Sequence, residues 1–157
     1  MERPIAVIAR ASLHRLGFLG VVLLLFGAEP ALATDQLVLI ASVSSPASTL
    51  NAIDIQKLFL GLTIFLDGKE LRPLRNESDE STRRIFYQDI IGMSEPTYER
   101  RLLAVTLQQG RTAPPVFRDS MSLLNAVAAD PYAISYAWAK EVGRDRRIRI
   151  LKVLGRE

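Results

Sequence analysis

The chain contains no cysteine and a single histidine, His14. Without a thiol it can form no disulfide and no lipidated cysteine, so the fold must hold by core packing alone. With its one imidazole near the start, it also lacks the commonest general base and metal ligand over the rest of its length. Serine triads that depend on histidine are excluded. Two-carboxylate hydrolysis fares little better, because Asp and Glu are scattered over helix starts and turns rather than grouped along strand ends. The expectation is a protein that is not an enzyme and uses no metal and no cofactor. Trp138 is the single tryptophan, and no internal repeat or low-complexity tract is present.

One long apolar run does occur, at the beginning. Arg3, Arg10, His14 and Arg15 form a basic region, Leu16 to Ala28 an apolar one, and Ala31-Leu32-Ala33 offers small residues for cleavage before Thr34. This is the pattern of a secretory signal peptide over residues 1–33, and the apolar run is short of the ~20 residues that span a bilayer. No twin-arginine pair precedes it. The expected location is periplasmic. Much of the basic excess leaves with the leader, so the high pI is no sign of nucleic-acid affinity. Residues 34–157 suit one domain with a core, not two.

Along that domain, Leu37 to Val43 is continuously apolar, as in a strand covered on both faces. A Ser-rich loop, Ser44 to Thr49, follows. Asn51 can cap a helix to Leu60 with Ile53, Leu58 and Phe59 inward, stopped by Gly61. Asp67-Gly68 marks a tight turn in a small hairpin. A helix is expected over Asp79 to Ile91, another from Ser94 to Gly110 with Tyr98, Leu102, Leu103, Val105 and Leu107 on its apolar side, and a fourth capped by Ser120 and ended by Asp130-Pro131. Tyr132 to Ala137 has strand composition, Trp138 to Val142 a helical turn, and Ile148 to Val153 alternates as an edge strand with basic residues outward. Strands alternating with helices indicate an α/β layer structure with a mainly parallel or mixed sheet.

The stretch from Arg72 to Phe86 carries the functional expectation. A strand ends near Leu74, a polar loop follows, and Ser78 is placed to cap a helix whose Ile85, Phe86, Ile90 and Ile91 recur at helical spacing. First-turn amides without partners, the helix dipole and Arg75 together suit a small anion. The same residues also describe an ordinary capped helix start. Glu77, Asp79 and Glu80 favour that plainer reading, because they satisfy the dipole themselves.

The order of these signals resembles the periplasmic phosphate-binding proteins, the substrate-binding subunits of phosphate ABC transporters. Lys57-Leu-Phe-Leu-Gly61 is similar to the family's Ile-Phe-x-Gly helix end, and Phe65-Leu-Asp-Gly68 to its Trp-x-Asp-Gly turn. Arg75 with Ser78 to Phe86 resembles its Arg, Ser-Gly-Thr, Phe segment, and Asp130 to Tyr136 its Pro-Gly-Ala-Ile-Gly-Tyr strand. The resemblance implies a single lobe of the type 2 periplasmic-binding-protein fold over residues 34–157, with a mixed sheet flanked by helices. It implies a small phosphate-like oxyanion on Arg75, Ser81 and Thr82, with Ser78 as an alternative register. Glu80 and Ser81 stand where that family has Ser-Gly, so a hydroxyl is lost and a carboxylate gained. Since one lobe makes half a cleft, a second copy, a membrane permease or a membrane sensor is the expected partner, and nucleic acid is not. The alternative is a sensory-accessory or protein-interaction module that keeps the fold without a ligand.

Overall fold

The first strand, β1 (Gln36–Ser42), is buried along its whole length, as its unbroken apolar run requires. The computed structural model describes residues 36–143 and 145–156; the leader expected over residues 1–33 lies outside them. After β1 come α1 (Ala52–Phe59), the hairpin of β2 (Phe65–Leu66) and β3 (Lys69–Glu70), β4 (Arg72–Pro73), β5 (Arg75–Asn76) and α2 (Glu80–Ile85), then a π-helical turn over Phe86–Ile91. The second half holds α3 (Glu95–Gln108), β6 (Val116–Phe117), α4 (Ser120–Ala129), β7 (Ala133–Trp138), α5 (Ala139–Val142) and β8 (Ile148–Arg156). Among the described residues no helix is long and apolar enough to cross a membrane.

β4, β7, β1 and β8 lie side by side in that order. β4 runs parallel to β7, while β1 is antiparallel to both β7 and β8. The sheet is therefore mixed, and β1 has antiparallel neighbours on both sides. Burial on both faces produces the same continuous apolar run in either arrangement, which is why the run does not report direction. Successive amides of the segment from Arg72 to Glu77 turn to different partners. Arg72 and Leu74 donate to Tyr132 and Ile134, and Arg75 and Glu77 donate to Pro115 and Phe117. One extended segment thus joins β7 on one side to β6, its parallel partner, on the other.

Two layers of side chains cover this sheet. On one face Phe59, Phe86, Tyr98 and Tyr136 interlock, with Phe86 stacked on Tyr136 at 4.7 Å and edge-on to Phe59 and Tyr98 at 5.5 Å. Such pairings add to area burial because ring edges meet ring faces. Leu123, Leu124 and Val127 of α4 pack on the other face against Val38 and Ile40.

Several local expectations shift. Ile53 is 63% exposed and Ile55 is buried in its place, since α1 starts at Ala52 and presents 55, 58 and 59 inward. Leu103 and Leu107 of α3 face solvent, and Thr106 is buried with Tyr98 and Leu102. The helix expected from Asp79 to Ile91 changes from α to π at Phe86. Its cap is Asp79, not Ser78, and the cap of α4 is Asp119, not Ser120. In both cases the carboxylate one residue away accepts the amide two or three positions on, as short acidic side chains do.

Candidate functional site

β5, β6 and β7 each run directly into a helix at their C-terminal ends: α2, α4 and α5. In open α/β sheets this edge is where ligands are received, and Arg75, Ser78, Ser81 and Thr82 all belong to it.

Arg75 is 4% exposed, placed inward because β5 is buried on both sides. Its Nη2 donates to Glu77 Oε1 at 2.7 Å, to Glu99 Oε1 at 2.6 Å and to the Tyr87 hydroxyl at 3.2 Å. Its guanidinium carbon lies 5.0 Å from the centre of the Tyr98 ring, a cation–π distance. Burial alone pulls the guanidinium pKa down, but the neighbouring tyrosines and Glu99 outweigh it and hold the group above its ordinary value. Burial likewise pushes the Tyr87 hydroxyl up, to about 12. Arg75 is thus permanently charged, and two carboxylates of its own chain meet that charge. Glu99 comes from α3 and Tyr87 from the π-helical turn. Nothing near Arg75 in the sequence announces either.

The other expected residues form a second, separate set around Asp79. Its carboxylate accepts from the Thr82 amide at 2.8 Å, the Thr82 hydroxyl at 2.6 Å, the Trp138 indole N–H at 3.0 Å and the Ser78 hydroxyl at 3.4 Å. Burial of Asp79 works against its charge, yet these donors dominate and lower its pKa below the usual carboxylate range. The Ser78 amide donates to Asn76 Oδ1. Half-buried Ser81 receives the Arg84 guanidinium at 3.4 Å. The structure therefore gathers Ser78 and Thr82 on Asp79, and Arg75 on Glu77 and Glu99, without joining the two sets.

The starts of α4 and α5 follow the same rule. Asp119 accepts the Ser122 amide, and Glu141 takes the Ser120 hydroxyl at 2.7 Å and the Trp138 amide at 3.3 Å. Anions do sit at this edge of the sheet; they are the chain's own side chains. Among the described residues no group of three His, Cys, Asp or Glu could hold a metal ion.

No protein-family model matches the chain, and no curated protein matches it. Solved structures do. An ABC-type phosphate transport receptor from Vibrio cholerae aligns with 74% of this chain and 45% of its own, at 14% identity and a TM-score of 0.55. A candidate phosphate ABC transporter substrate-binding protein from Clostridium perfringens, with bound phosphate, aligns over 78% and 46% at 20% identity and 0.56. A candidate phosphate-binding protein from Planctomyces limnophilus aligns over 74% and 40% at 10% identity and 0.52. The chain spans less than half the length of each of these structures. Its α/β fold is similar to theirs, with a mixed sheet flanked by helices in the manner of one lobe of a type 2 periplasmic binding protein.

Proposed function

We propose that the chain is an exported, non-catalytic binding protein that keeps one lobe of a phosphate-receptor fold and acts by docking on a membrane receptor or transporter. On this reading it does not capture free phosphate. The observation that carries it is Arg75 held between Glu77 and Glu99 at 2.7 and 2.6 Å. One guanidinium between two carboxylates leaves the corner net negative. A phosphate brought there would have to displace both, and the first-turn amide of Thr82 is already taken by Asp79. Like charges at such distances cost several kcal/mol at the effective dielectric of a partly buried site. The leader pattern supports export, and the lack of His and Cys beyond it supports a non-catalytic role.

A second reading is favoured by the fold likeness to phosphate-binding proteins, one of them holding phosphate. The Glu99 side chain is 45% exposed, so it can swing into water and release Arg75 toward a small oxyanion, with Ser81, Thr82 and a second copy or a permease completing the cleft. Titration calorimetry with phosphate, sulfate and small carboxylates separates the two, run on the native chain and on Glu99→Gln. Docking predicts no heat from either protein. Oxyanion capture predicts binding that strengthens in Glu99→Gln and vanishes in Arg75→Lys.

A further inference from the structure

The sheet stays open on the side where its parallel strands begin. Pairing of β5 with β6 starts where the Arg75 amide donates to the Pro115 carbonyl at 2.9 Å. Pro114 and Pro115 have no N–H to continue the ladder beyond that point, and the strands part. Between them lies a cavity of about 330 Å³, at the small end of the ~300–1,000 Å³ typical of ligand pockets. Buried Leu58, Leu71 and Leu74 line it. Four charged side chains line it too: Arg72 paired with Asp130 at 2.5 Å, and Arg111 paired with Glu70. Arg111 also donates to Thr63.

We propose that this cavity binds a small zwitterion with an apolar body, of the class of a branched-chain or aromatic amino acid. The lining supplies what each part of such a molecule needs. Leucine side chains take the apolar body, a guanidinium takes the carboxylate, and Glu70 or Asp130 takes the ammonium. A ligand with one charge can match only one member of a protein ion pair and leaves the other to water. A zwitterion replaces one protein pair by two matched ones. The exchange is easy because the pairs are partly solvated, with Arg72 64% and Arg111 38% exposed, and such pairs contribute little by themselves. The cavity is lined by β4 itself and by residues that lead into β6 and β7, and Arg75, Glu77, Asp79 and Glu99 take no part in its lining, so this inference does not rest on the docking proposal.

The test is calorimetry and amide chemical-shift mapping on the purified chain with L-phenylalanine and L-leucine. Two singly charged analogues, phenethylamine and 3-phenylpropanoate, serve as controls. At least one amino acid should bind and shift Leu62, Thr112 and Ala113, and both analogues should bind about 10-fold more weakly or worse, the loss expected for one charged contact. Arg111→Ala and Glu70→Gln should each weaken the amino acid by a similar factor. Because the analogues are read on the unaltered chain, a variant that fails to fold does not spoil the result. Equal binding of amino acid and analogues, shifts elsewhere, or no binding of either amino acid at millimolar concentration overturns the proposal. None of these outcomes depends on what phosphate does.

Discussion

Arg75 has a buried charge with carboxylates on two sides, and removing it would leave Glu77 and Glu99 facing each other beside the Tyr98 ring. Arg75→Ala should therefore cost about 3 kcal/mol, the lower end of the ~3–5 kcal/mol for breaking a buried pair, since Glu99 is half exposed. Chemical denaturation measures this. Arg75→Lys should recover only part of the loss, because an ammonium cannot spread over Glu77, Glu99 and Tyr87 as a guanidinium does. Asp79 gives a pH signature. Its folded pKa is below its unfolded one, so its contribution is complete above the unfolded value near ~4 and disappears as pH falls through the lower folded value. Asp79→Ala should cost ~1–2 kcal/mol at pH 7 and progressively less below about pH 4, read as converging melting curves of the two proteins.

At the level of elements, the α-to-π transition at Phe86 decides which side chains reach the core. The wider turn brings both Phe86 and Tyr87 inward, Phe86 into the aromatic cluster and Tyr87 against Arg75. Phe86→Ala should cost ~3–5 kcal/mol in a denaturant titration. β8 shows a different constraint. Its register against β1 slips between Leu37 and Val38 and again between Leu39 and Ile40, and the first slip leaves Gly155 over α2. A Cβ there would meet Ile85 Cγ2 at 2.8 Å, on a buried β-branched side chain that cannot step aside. Gly155→Ala should therefore destabilise by ~1–3 kcal/mol, the usual cost of overpacking, with a lowered melting temperature as the readout. The slip and the glycine were not legible in the alternating pattern from Ile148 to Val153. The hairpin at Asp67-Gly68 was, because both residues take positive φ, 51° and 75°, and Asp-Gly is the dipeptide that adopts such a turn readily.

Over the whole molecule, the order of landmarks from Leu37 to Val153 was enough to recognise one lobe of a two-lobed architecture, and the solved structures bear out that fold. The strand positions, the helix end at Gly61 and the two-faced burial of β1 follow from spacing and composition, which act over a few residues. The candidate site divides along the same line. The sequence by itself determined that Arg75 and a capped helix start lie close together at the C-terminal edge of a strand, and that carboxylates crowd them. Only the tertiary structure decided what those groups touch. Glu99 lies 24 residues from Arg75 and Trp138 lies 59 from Asp79, and no local period records such distances. The first contact meets the charge of the guanidinium and the second ties the capping carboxylate to the end of β7, because a buried polar group takes whichever partner the packing brings nearest.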